Sequence, residues 1–282
     1  MALSAFQTQY RDEWIAQFEQ RKSLLLGTVT TEAVIKGNQA VFLVAGSGNA
    51  AATKRGITGR IQPRGNDNEQ NTAILEEWND LVTLTGFNIF ASQGNQKQIM
   101  QEDTLAVINR KIDELIIAQL GTATGGVGGA GQVASVAMFQ RGRVRLTNES
   151  VPWDGYISML CQPSFLAALE QDSSRAFASA DFVKHQPYAG EDMSWRDMPT
   201  VYKWRNATII EHPGLPGQGT DSEQSYLYHK SSMGHAANVS GMENVVGYDE
   251  EQGYTYARCS MIMGSKLLQD EGVIPFTHDT LA

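Results

Sequence analysis

The chain has 282 residues, 41% hydrophobic and 19% charged, enough to form two cores and to bury about three quarters of its unfolded surface. A net charge of −9 and a pI near 5.1 argue against a protein that grips nucleic acid by neutralising phosphates. The amino terminus runs directly into SAFQTQYRDEW with no charged-then-apolar leader, and no run of eighteen apolar residues follows, so synthesis in the cytosol is expected.

From Ser4 to Leu26 the aromatic residues Phe6, Tyr10, Trp14 and Phe18 fall four apart, a narrow stripe on an otherwise polar helix. Such a stripe serves either a terminal helix docked on its own core or an arm laid on a neighbouring subunit. Large aromatics suit the second use, because they bring much apolar area at modest entropic cost.

Residues Thr28 to Phe90 read as strands: TVTTEAVI, QAVFLVA and, much later, LVTLTGFNIF. The interval between them, GSGNAAATKRGITGRIQPRGNDNEQ, is too long and too polar for an interior loop, and a two-stranded excursion projecting from the body is expected. Its tip carries Lys54, Arg55, Arg60 and Arg64 with no acid before Asp67. Four cations there form either a solvated loop or a group that seeks an acidic neighbour, which copies of an acidic chain would supply.

Gln96 to Leu120 is the longest periodic stretch. Leu105, Ile108, Ile112, Leu115 and Leu120, with Ile116 beside them, put one apolar stripe on a helix about 37 Å long. Asn95 is placed to cap it, with Gln98 at capping-box distance, and Gly121 to end it. Arg110 is spaced to pair with Asp113 or Glu114, and Lys111 with Glu114. The many β-branched residues are poor helix formers, so packing against a broad surface such as a sheet must hold the helix together.

GTATGGVGGAGQ follows, with a formal G-x-G-x-x-G at Gly126, Gly128 and Gly131. A dinucleotide fingerprint must follow a buried strand and open a helix, answered by an acid at a strand end. Here the glycines follow a helix, and Glu149 stands in LTNESVP, so a flexible turn between two helices is expected and no cofactor. The second helix is expected within Gln132 to Ser150, with Gly142 its weak point. GYISMLC reads as a short buried strand and Gln162-Pro163-Ser164 as the start of the helix SFLAALEQ.

Farther on, FASADFV continues the chain, and the aromatic-rich Trp195 to Trp204 has no evident assignment. ATIIEHPGLPG is a strand, SYLYHKSSMGHAA a strand running into a short helix, and the terminus a strand, an acidic turn at Asp249 to Gly253, a long strand and a closing strand VIPFT. Ser260 to Gly264 is expected to bridge the last two as a bend. His212, His229 and His235 lack zinc-site spacing and are expected to be core or surface histidines. Cys161 and Cys259 read as small buried apolar residues in a reducing compartment. No metal is expected, and no G-x-S-x-G elbow is present.

Taken in this order, the parts resemble a major capsid protein of a tailed bacteriophage, of the Hong-Kong-97-type fold shared with encapsulin shells and herpesvirus capsid floors. The resemblance rests on the amino-terminal arm, the glycine-rich excursion from Thr28 to Thr85, the helix from Gln96 to Leu120 and LTNESVPWDGYISMLCQPSFLAALEQD. NATIIEHPGLPG and YARCSMIMGSKLLQDEGVIPFT also carry it. It implies an α+β structural protein without an active site. Its parts would be an arm (1–27), an extended loop (28–85), a peripheral domain (86–150 and 254–282, spine helix 96–120) and an axial domain (151–253).

Such subunits would assemble as hexamers and pentamers into an icosahedral shell around double-stranded DNA, bound without sequence specificity. Made in the host cytoplasm and located in the virion, they would meet scaffold, portal and decoration proteins. The intersubunit contacts would fall to Phe6, Tyr10, Trp14, Phe18, Lys54, Arg55, Arg60 and Arg64. The alternatives are an encapsulin-like compartment and a soluble nucleotide-binding α+β enzyme.

Overall fold

The computed structural model describes residues 19–34, 36–47, 50–55, 57, 59, 61, 63–65, 67–91, 95–171, 183–185 and 201–280. In chain order the first half holds β1 (Thr30–Val34), β2 (Gln39–Gly46), β3 (Asp67–Ile74), β4 (Glu76–Thr85), α1 (Gly86–Ala91), α2 (Gln96–Leu120), β5 (Val127–Val133) and α3 (Val136–Asn148). There follow β6 (Ile157–Cys161), α4 (Pro163–Gln171), β7 (Val183–His185), β8 (Val201–Trp204), β9 (Ala207–Glu211) and β10 (Glu223–His229). The chain closes with β11 (Met233–Asn238), β12 (Glu243–Asp249), β13 (Tyr254–Leu267) and β14 (Val273–Asp279).

Among the described residues a five-stranded sheet is organised around β13, which pairs with β12 and β4 over its first part and with β11 over its last, β11 carrying β1 in parallel. Alternation along β13 turns Thr255, Ala257, Cys259, Met261 and Met263 to the buried side. Cys259, Met261 and Met263 meet Ile108, Ile112, Ile116 and Leu120 of α2 in one cluster, and the same cluster takes in Leu160, Ile210, Tyr226, Tyr228 and Val273 of a second sheet. The long helix is thus shared by two sheets. Burying each of these large side chains contributes about 1.5–3 kcal/mol, which offsets the weak helix propensity of the isoleucines. Asn95 accepts from the Gln98 backbone N–H as expected, whereas the Gln98 side chain donates forward to Glu102 and does not close a capping box. Leu105 is more exposed than the stripe predicts, and Asp113 lies in the buried face.

The second sheet has seven strands in the order β5-β14-β10-β6-β9-β8-β7, with β6–β9 and β14–β5 parallel. Its face opposite α2 carries Ile157, Met159, Cys161, Ile209, Leu227 and Phe276, covered by Phe139 and Leu146 of α3 and Phe165 and Leu169 of α4. Phe139 stacks on Trp204 at 4.7 Å between ring centroids, and Phe165 on Phe276 at 5.7 Å. Pro163 opens α4, where its missing N–H costs nothing.

Several expectations are corrected. The glycine run is not a turn between helices: it forms β5, parallel to β14. Gly128, at φ 96, sits so close to that strand that a Cβ would lie 2.2 Å from the Thr277 carbonyl oxygen, so glycine is the residue that lets the two backbones pair. At Gly128 the neighbouring space is filled by the main chain of β14. Gly142 is no weak point in α3, because a Cβ there would meet the Phe276 ring at 2.4 Å and its absence lets helix and sheet close. GFNIFA leaves the strand and forms α1. MGHAA is strand β11, preceded by a single 3-10 turn over Lys230–Ser232. Ser260 to Gly264 lies inside β13, and residues 268–272 make the link to β14. The last strand, placed by sequence with the spine helix, pairs with β10 and β5 in the seven-stranded sheet. Trp204, without assignment in the sequence, closes β8 and is fully buried.

Candidate assembly interface

The excursion between the first strands is a hairpin: β2 and β3 pair antiparallel from Gln39–Ile74 to Gly46–Asp67. Its base belongs to the body. Ala40, Phe42, Ala73 and Leu75 pack with Ala236, and the Asn71 side-chain amide donates to the Leu268 carbonyl at 2.9 Å. On its outer face Val41, Leu43 and Ile74 are exposed among the described residues.

Beyond Gly46 the tip has no regular secondary structure among the described residues. Lys54 and Arg55 are exposed, and Ile57 and Ile61 are exposed with them. Arg64 donates to the Ser47 carbonyl at 3.1 Å, tying the neck of the loop. Arg60 lies outside the described residues, as do Phe6, Tyr10, Trp14 and Phe18 of the arm. Apolar and cationic side chains exposed together beyond the ladder are the makings of a contact completed by another molecule.

The segment 20–25 is anchored at one carboxylate. Asp113 on α2 is 1% exposed and accepts from the Ser23 hydroxyl at 2.6 Å, from the Leu24 and Leu25 backbone N–H groups at 2.9 and 3.2 Å, and from the Gln20 amide. Across from them stands His212, after the end of β9. Its Nδ1 accepts from the Gly214 N–H at 3.0 Å, so a neutral ring carries its proton on Nε2, 3.5 Å from the Asp113 carboxylate. Burial alone would raise the Asp113 pKa, but His212 and the Leu24, Ser23 and Gln20 donors together hold it below the usual carboxylate range. Arg21 pairs with Glu102 at 3.0 Å and Arg110 with Glu19 at 2.5 Å, continuing the contact along α2. Sequence spacing assigned Arg110 to Asp113 or Glu114. The lone acid in an apolar stripe was the available signal for the anchor.

The remaining candidate groups are engaged in structure. Burial pushes the Cys161 thiol well above its ordinary range and raises that of Cys259, which leaves neither as a thiolate. His229 contacts Ser231 and Asp154, and His278 contacts Ser225. Among the described residues no three His, Cys, Asp or Glu side chains converge as a metal site. His235, on β11 beside β13, is buried with its Nδ1 2.9 Å from the Ser265 hydroxyl. Desolvation pushes it down to about 4, only partly opposed by the Asp113 charge. The unfolded chain therefore takes up a proton near pH 6.5 that the native state refuses until about 4. This contribution to stability is complete above about pH 6.5 and is lost as pH falls towards 4, by up to about 3 kcal/mol. Denaturant unfolding at several pH values should show this decline, and His235→Gln should flatten it; an unchanged slope in the variant would contradict the assignment.

Comparison with known proteins follows the same architecture. The profile of a family described as phage capsid protein matches residues 2–280. No curated protein matches the chain. The capsid of cyanophage P-SCSP1u superposes with a TM-score of 0.72 at 11% identity, covering 98% of this chain and 94% of that one. The capsid of Ralstonia phage GP4 gives 0.71 at 11% identity, with 99% and 96% covered. The holo-SrpI encapsulin of Synechococcus elongatus gives 0.65 at 11% identity, with 98% and 93% covered. The fold is that of the Hong-Kong-97-type capsids. A hairpin with an exposed tip, a segment tied to α2 through Asp113, a helix shared by two sheets and a family match over nearly the whole length lead to one conclusion: the chain belongs to the phage capsid protein family and is a structural protein of a bacteriophage capsid.

Proposed function

We propose that this chain is the subunit of an icosahedral shell of hexamers and pentamers that encloses packaged double-stranded DNA. The observation that carries this is the hairpin tip, whose Ile57, Ile61, Lys54 and Arg55 are exposed among the described residues. An acidic chain supplies the complementary charge on its copies. In this reading residues 86–150 and 254–282, with α2 as the spine, form a peripheral domain, and residues 151–253 an axial domain around the capsomer centre. Residues 1–27 and 28–85 clasp neighbours, with Phe6, Tyr10, Trp14 and Phe18 as the arm's anchors.

DNA is held by enclosure and not by a sequence-reading surface, in keeping with the net charge of −9. Scaffold, portal and decoration proteins are the further partners. The protein is made in the host cytoplasm and ends in the virion, and it needs no cofactor.

Expression of the chain alone, with negative-stain imaging, tests the reading: closed particles support it, and a monomer under every ionic condition sinks it. Arg60→Ala with Arg64→Ala should lower particle yield severalfold while leaving the subunit folded, since loop cations steer and register contacts more than they hold the fold. Undiminished yield would remove the tip from the interface. The likeness to an encapsulin supports a second reading, the same shell around an enzyme cargo. Neighbouring genes for portal and terminase, or for a cargo enzyme, separate the two.

A further inference from the structure

Strands β1 and β2 are joined by a short turn yet do not pair with each other: β1 adds to β11, and β2 turns away to β3. Beside them lies a groove of about 420 Å³ lined by Thr30 and Glu32 of β1 and by five consecutive residues of β2, 41–45, and closed by Ser231, Leu268 and Gln269. Successive residues of a strand point to opposite faces. A groove reached by all five therefore runs along the strand's edge. Among the described residues that edge of β2 has no strand partner. An unpaired edge presents a row of N–H and C=O groups, and a segment that adds there as a strand gains main-chain hydrogen bonds while its alternate side chains set its register. Val41 and Leu43, 49% and 63% exposed, give the groove an apolar wall, and Glu32 gives it a negative charge.

We propose that this groove receives the hairpin tip of a second copy, laid in extended form along the free edge of β2 with Lys54 or Arg55 against Glu32 and Ile57 over Leu43. The tip has the matching properties: no regular structure of its own among the described residues, two exposed cations next to an exposed isoleucine, and no acid between Gly46 and Asp67. It does not serve its own groove, because it springs from Gly46 at the outer end of the ladder and its neck is tied by Arg64 to Ser47. The assignment rests on the shell reading and gives the loop a defined receptor.

Chains carrying Leu43→Cys and chains carrying Ile57→Cys, assembled together, should form an intermolecular disulfide seen as a doubled mass on a non-reducing gel. The native Cys161 and Cys259 are buried and free, and do not compete. In unsubstituted shells the amides of residues 41–45 should exchange with deuterium far more slowly than in the dissociated subunit. Glu32→Lys should lower particle yield severalfold, and Lys54→Glu with Arg55→Glu in the same chain should restore it. Particles that form without the 43–57 disulfide and without slowed exchange overturn the assignment while leaving the shell reading intact. A disulfide from Leu43→Cys to Phe6→Cys in its place gives the groove to a neighbour's arm and overturns it too. Absence of particles from the unsubstituted chain overturns both.

Discussion

Asp113→Ala is expected to lower the melting temperature by about 10 °C and to free the amino-terminal arm. The carboxylate sits 1% exposed among Ser23, the Leu24 and Leu25 N–H groups, Gln20 and His212. Alanine removes the acceptor and leaves two buried backbone donors and the His212 Nε2 proton facing a cavity. Breaking such a buried charged cluster from one side costs about 3–5 kcal/mol, and a chain of this size loses about 2–4 °C per kcal/mol. Asp113→Asn keeps the shape but turns an NH2 towards donors, and should recover only part of the loss. Arg21 and Lys22 flank the anchor, so trypsin should cut the variant there much faster than the parent. Because the folded pKa is depressed, the anchor's contribution is present above about pH 4 and is lost only as pH falls through the lower folded value. A variant with the parent's melting temperature and the parent's trypsin pattern would show that the cluster anchors nothing.

Gly264→Ala should separate folding from assembly. A Cβ on Gly264 would lie 2.1 Å from the Ile74 carbonyl oxygen and 3.0 Å from its carbon, so the end of β3 rests directly on β13. The obstacle is backbone already committed to the ladder through Ile74–Gln39, and no side chain can swing aside. Overpacking of this kind costs about 1–3 kcal/mol and occasionally more. The larger effect is geometric. The ladder is eight pairs long, about 26 Å at a strand's rise, and a shift of the base is magnified along it. The variant is expected as a folded subunit, melting about 2–12 °C lower, that forms few closed particles. Particles of parental diameter and yield would show that the hairpin tolerates the displacement.

How far residues alone foretell these features depends on the range of the interactions. The spine helix was legible because twenty-five residues repeat one periodicity with Asn95 at the cap, and the start of α4 because Pro163 has few other uses. These signals are local. The hairpin was legible from its length and polarity, which no interior could hold. The role of Asp113 was not, because in sequence it is one more acid near Arg110, and only the fold brings Ser23 and His212 to it. The glycine strand was missed for a related reason: glycine carries no strand propensity, and β5 exists because Thr277 and Phe276 of β14 lie where its backbone passes. The tract after Leu84 was misread because Gly86 ends β4 before Phe87 and Phe90, whose strand-like side chains stand exposed on α1.

That glycine strand has a bearing on concentration. Among the described residues β5 is the outermost strand of the seven-stranded sheet, with positive φ at Gly128 and Gly131 and a register shift against β14. A ladder so interrupted offers no regular template for another sheet to extend. This rim is therefore poorly suited to fibrous stacking of one copy on another.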